Sequence, residues 1–225
     1  MGNFKLCGLP QYHRNQTKPN QIHIMSLTVS SKSSSTSSQA TPGLTPGICI
    51  AIVDLGFQKD FFNKEATPKF KEKVALIFEL PDHTYTDKEE VTHRMRMTKT
   101  YTQSLYDGSG EGSEAALHRD LCAWRGKRFT EEELRGFKLT NVLGVPCMVN
   151  LKENKNGKVG ISGLMAAIGE VGKPSTDPWS FDLADPAENW DKLPSFLQDD
   201  IRQAQGFDVI EPFLPSTAVD TVVPF

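Results

Sequence analysis

The chain has 225 residues, with 25 Lys and Arg against 28 Asp and Glu, a formal net charge of −3 and 38% hydrophobic residues. No apolar run approaches the ~18 residues of a membrane-spanning helix, and the first residues lack the charged-then-apolar pattern of a secretory signal, so a soluble cytoplasmic protein is expected. Cys7, Cys49, Cys122 and Cys147 are scattered at spacings that suit neither a zinc site nor a disulfide framework. They read as reduced thiols, with Cys122 and Cys147 as small core residues, and no metal or cofactor is expected.

Residues 1–46 read as a disordered tail. Eight of the thirteen residues from Ser26 to Ser38 are Ser, a composition that cannot offset its own ordering entropy. Met25 stands just before this run and is the expected natural start, with residues 1–24 a gene-start extension. Residues 47–172 carry the folded pattern. Ile48–Asp54 and Lys73–Leu80 are apolar, β-branched runs that predict strands, the second central in its sheet. A third strand spans Arg94 to Leu105, with Met95, Met97, Lys99, Tyr101 and Gln103 on one face and Arg94, Arg96, Thr98 and Thr100 on the other.

After the Gly-rich stretch Asp107–Gly112, expected to be a flexible loop, the period changes. Leu117, Leu121 and Trp124 recur at helical spacing and end at Gly126. Thr130 and Glu133 have the spacing of a capping box and predict a short second helix. Two more strands follow, Val145–Leu151 and Lys158–Ala167, with Asn156-Gly157 as a type I′ hairpin signal between them. The order β-β-β-α-β-β is that of a mainly β, five-stranded OB-fold barrel.

Residues 173–225 change character again. From Thr176 onward ten acids face only Lys192 and Arg202, and the segment reads as an acidic, mostly extended arm with one short helix near Leu193–Gln205.

Chemistry-bearing motifs are sparse. Gly108–Gly112 fits neither a dinucleotide fingerprint nor a P-loop, no nucleophile elbow occurs, and the histidines are isolated, so no enzyme is expected. What stands out is cations interleaved with aromatic rings: Arg94, Arg96, Lys99, Tyr101 and Tyr106, then Arg125, Lys127 and Arg128 between Trp124 and Phe129. Single-stranded nucleic acid needs both, cations along the phosphates and flat rings under the bases. Trp124 completes the helical apolar stripe and is expected in the core. Tyr101 shares its face with two methionines, so its ring serves either as platform or as core. Residues 57–160 hold 18 Lys and Arg against 16 Asp and Glu, a net of +2 that does not by itself demand a polyanion.

From about Ile48 to Lys173 the sequence resembles a family of small phage-encoded proteins assigned to replication and recombination. The carrying segments are Ala51–Gly56, Val74–Pro81, Lys99–Leu105, Leu117–Gly126, Phe129–Phe137 and Asn141–Asn150. The resemblance implies an OB-fold protein that coats single-stranded DNA in the host cytoplasm, without sequence preference, and it favours Lys99 and Tyr101 as contacts. The acidic arm ending in Val223-Pro224-Phe225, with Asp220 nearby, is similar to the partner-docking tail of bacterial single-stranded DNA-binding proteins, which implies replication proteins as partners. An oligomer is compatible with this reading. The alternative is an interaction protein whose carboxylates mimic DNA and inhibit a host nuclease.

Overall fold

β1 (Gly43–Asp60) and β2 (Lys69–Thr86) pair antiparallel along nearly their whole length and form the centre of the molecule. The structure is a computed structural model that describes residues 40–60, 69–106 and 114–215. The apolar runs of β1 and β2 lack alternation because both faces are covered. Cys49, Ile52, Val74, Leu76, Phe78 and Leu80 enter one core, while Ile50, Ala51, Val53, Leu55, Ala75 and Ile77 enter a second on the opposite face. A register shift between Cys49 and Ala51 lets the adjacent Ile50 and Ala51 both serve the second core. A second irregularity, between Asp54 and Gly56, uses a glycine at φ 66, where an added Cβ would lie 2.8 Å from Leu183.

Both strands run further than their apolar segments. The ends, such as Lys69, Lys71, Thr84 and Thr86, pair in the ladder without burying apolar surface, so hydrophobicity does not mark them. For the same reason β1 begins at Gly43, inside the segment expected to be tail.

β3 (Thr92–Thr102) pairs with β2, and β4 (Pro146–Glu153) pairs with the first part of β1 and with β5 (Val159–Ala166). The order β3-β2-β1-β4-β5 is antiparallel throughout, and a short sixth strand, β6 (Trp179–Phe181), adds in parallel to Ala51–Val53. One edge of β1 is therefore shared, by β4 up to Ile48 and by β6 from Ala51. The fold is mainly β, with a six-stranded sheet. Among the described residues no ladder joins β3 to β5, so the sheet is open there.

Between β3 and β4 lie α1 (Ala116–Arg125) and α2 (Glu131–Gly136), as the periodicity predicts. α1 buries Leu117, Leu121 and Trp124 in the first core and ends on Gly126 at φ 67. The Trp124 indole donates to the Pro146 carbonyl at 2.8 Å. Thr130 and Glu133 make both bonds of the capping box. The β4–β5 turn differs from the type I′ expectation. Asn156 is not at positive φ; Gly157 alone is, at 73°, and the Asn154 carboxamide oxygen accepts from the amides of Asn156 and Lys158.

The largest correction concerns the acidic segment. Residues 174–215 are not an extended arm. They form β6, α3 (Ser195–Arg202), α4 (Phe207–Ile210) and short 3₁₀ turns, and they cover the second core. Phe181, Trp190, Leu193, Leu197 and Ile201 pack there, and Gln58 and the Phe57 carbonyl bond the backbone of residues 200 and 205. Burying such side chains is worth about 1.5–3 kcal/mol each as an upper range, which outweighs the weak, solvent-screened repulsion among exposed acids. Among the described residues, no helix is long and apolar enough to cross a membrane.

Candidate nucleic-acid interface

The eight cations and rings singled out in the folded region separate into three environments. Lys99 and Tyr101 point into the molecule, because β3 turns its Met95 and Met97 face toward the first core. Tyr101 is 3% exposed, and its hydroxyl donates to Asp120 on α1 at 2.8 Å. Burial, followed by the Asp120 charge, pushes the Tyr101 phenol far above its usual range. Lys99 Nζ lies 2.6 Å from the same Asp120 oxygen and donates to the Ser162 carbonyl of β5 at 3.0 Å. This ring is core, and this cation is neutralised by a buried carboxylate. The pair bridges β3, α1 and β5 where ladder bonds are absent.

Arg125 is similarly engaged. Its guanidinium pairs with Glu133 and lies 4.1 Å from the Phe129 ring centroid and 5.4 Å from that of Phe137. The Thr130 amide and Arg125 hold the Glu133 carboxyl below its ordinary range. Arg128, 87% exposed, reaches Glu114 at 3.5 Å, and Tyr106 forms an isolated bridge with Glu114, so Tyr106 and Arg128 sit together near the start of α1. Lys127 is exposed beside them in sequence.

Arg94 and Arg96 lie on the other face of β3. Arg94 Nη1 donates to Glu79 and to the Lys173 carbonyl, each at 2.9 Å. Glu79 is 0% exposed within the apolar run of β2, and also accepts from the Ser175 amide at 2.9 Å and from the Ser175 hydroxyl. Burial alone would raise the Glu79 carboxyl, but Ser175 and Arg94 together hold it below its usual range. Glu79 thus anchors the start of the acidic segment. Arg96 is exposed and touches the Thr176 hydroxyl at 3.4 Å.

Beside these arginines lie two residues that the sequence pattern does not single out as a site, Tyr85 and the isolated His93. Tyr85 and His93 face each other across the β2–β3 ladder, with rings 5.3 Å apart at 30°. Tyr85 is 41% exposed, and His93 Nε2 lies 2.6 Å from Asp87, whose carboxyl is held low chiefly by that contact. Tyr85, Thr92, His93, Arg94, Arg96 and Ser175 line a cleft of about 370 Å³. The signal available was cross-strand register: Tyr85 and His93 flank the polar Asp87–Glu90 turn, and only the hairpin makes them neighbours.

A second cleft, of about 430 Å³, lies by the carboxylates of Asp54, within β1, and Asp182, just after β6. Burial raises the Asp54 carboxyl despite the amide of Gly56, and Asp182 adds to the rise. That cleft suits no polyanion. Among the described residues no three His, Cys, Asp or Glu side chains form a group that could hold a metal ion. The tail residues Asp220, Val223, Pro224 and Phe225 lie outside the described residues.

Comparison of the chain with protein-family models, with curated proteins and with solved structures finds no match.

Proposed function

We propose that this chain is a non-enzymatic single-stranded DNA-binding protein of the phage-encoded, OB-fold type, coating exposed strands during replication or recombination. The observation that carries the reading is the β2–β3 cleft, where a stacked, part-exposed Tyr85–His93 pair lies beside Arg94 and Arg96. Rings that accept bases next to cations that accept phosphates are the minimum a sequence-tolerant single-strand site requires. The OB reading draws further support from the sheet order with α1 between β3 and β4, and from Lys99 reaching the Ser162 carbonyl across the β3/β5 gap. In that fold the face of strands two and three binds oligonucleotides, which is where the cleft lies.

The test is a titration of single-stranded and duplex oligonucleotides across several salt concentrations. Single strands bind more tightly, because pairing hides the base faces. Arg96, Lys127 and Arg128 as phosphate contacts give a log–log salt slope near about −2, from ~0.7 per phosphate. Tyr85→Ala weakens single-strand binding by about 1–3 kcal/mol, and Arg96→Ala shallows the slope by under about one unit. Equal affinity for duplex, or unchanged affinity in Tyr85→Ala, refutes the reading.

A second reading, an interaction protein that mimics DNA, rests on one specific observation. The acidic segment presents a folded surface, with Asp199, Asp208 and Glu211 exposed alongside Phe196, Val209 and Phe213. Direct binding to a nuclease in the absence of nucleic acid, lost on replacing those acids by Asn and Gln, favours it over a DNA coat.

A further inference from the structure

His118 and Cys122 stand one turn apart on α1, with His118 Nε2 3.6 Å from the Cys122 sulfur. His118 is 8% exposed, and its Nδ1 is buried without a hydrogen-bond partner among the described residues. The nearest charge to Nδ1 is the Glu114 carboxylate at 3.9 Å, itself 3.5 Å from Arg128. Phe129 covers the imidazole at 5.4 Å between centroids, and behind Phe129 the Arg125 guanidinium is paired with Glu133. Glu114 on one side favours the proton on Nδ1 and leaves Nε2 as the acceptor facing the thiol.

A thiol in contact with an imidazole nitrogen, with a carboxylate 3.9 Å from the other ring nitrogen, is a pairing that can activate a cysteine. We propose that Cys122 is a modification site that undergoes exchange with low-molecular-weight disulfides. The Cys122 proton passes to His118 Nε2. The thiolate attacks one sulfur of the disulfide, the S–S bond breaks as the new one forms, and the departing thiolate takes the proton back from His118. No further oxidant is needed, since the disulfide is reduced as Cys122 is oxidised.

The other described thiols differ on every count. Cys49 and Cys147 are 0% exposed, burial drives the Cys49 thiol far up, and it pushes that of Cys147 up to about 12. Cys122 is part-exposed.

The experiment uses full-length protein carrying Cys7→Ser, with 5,5′-dithiobis(2-nitrobenzoate) as the disulfide probe and peptide mapping of the product. One equivalent reacts in a fast phase, mapped to Cys122 and lost in Cys122→Ser. His118→Gln slows that phase about tenfold or more near pH 7, and the gap narrows above the ordinary thiol pKa of ~8.5. Glu114→Gln slows it by a smaller factor with the fold retained. An absent fast phase, a fast phase mapped to Cys49 or Cys147, or an unchanged rate in His118→Gln overturns the proposal. Should His118→Gln unfold, exposing all the cysteines together, an unchanged rate in Glu114→Gln overturns it and a slowed one upholds it.

Discussion

Asp120 receives Lys99, the Tyr101 hydroxyl and, at 3.9 Å, Arg119, so a buried carboxylate on α1 is satisfied only while β3 stays in register beneath it. Removing one member leaves the rest uncompensated in a low-dielectric setting, which typically costs 3–5 kcal/mol when the lost partner is the opposite charge. Lys99→Ala is therefore expected to destabilise by about 3 kcal/mol or more. Tyr101→Phe should cost about 1–3 kcal/mol through its lost bond to Asp120, with oligonucleotide affinity measured on the folded fraction unchanged. Denaturant midpoints alongside binding isotherms check both; a silent Tyr101→Phe contradicts this account. The residues were legible as a face of β3, since Met95, Met97, Lys99 and Tyr101 alternate correctly. Which way that face points was not, because the deciding partner, Asp120, comes from a helix that alternation in β3 says nothing about.

At the scale of elements, Glu79 is the hinge between sheet and acidic segment. A lone carboxylate inside the run Val74–Leu80 was a readable anomaly, a charge on a strand with both faces apolar, and it foretold a buried partner. The partners, Ser175 and Arg94, lie far off in sequence and become neighbours only through folding. The Glu79 carboxyl is held below its unfolded value, so its contribution to stability is complete above about pH 4.3 and is lost as pH falls through its lower native value. Asp54 has the opposite sign: its raised carboxyl favours the native state in the protonated form, and that contribution is lost as pH rises through its native value. Glu79→Gln should therefore lower stability at pH 7 by about 1–2 kcal/mol and flatten the acid limb of the stability profile. Asp54→Asn should leave neutral stability unchanged or improved. Denaturant midpoints from pH 3 to 8 separate the two, and a Glu79→Gln profile as steep in acid as the parent's would contradict the assignment.

The whole molecule is a sheet with a core on each side, and only one was evident from sequence. Trp190, Leu193, Leu197 and Ile201 repeat at three- and four-residue intervals, a helical stripe that was there to be read. Ten acids against two bases in the same segment point instead to an extended arm. Charge density does predict extension when nothing apolar competes with it, but here the stripe docks on Ile50, Val53, Leu55 and Ile77, and β6 adds backbone pairing. Two truncations therefore behave differently. Ending the chain after Ser175 uncovers the second core and strips β6 from β1, so the product is expected to aggregate or lose its cooperative thermal transition. Ending it after Pro215 removes only residues beyond the described fold and should leave the melting temperature unchanged. Nine of the ten acids lie within residues 177–211 and only Asp220 lies beyond Pro215, so the second truncation should leave oligonucleotide affinity nearly unchanged at both low and high salt. Thermal melts with paired titrations at low and high salt make the comparison. A stable, monomeric product ending at Ser175 would mean that the second core is dispensable and that the sheet stands on the first core alone.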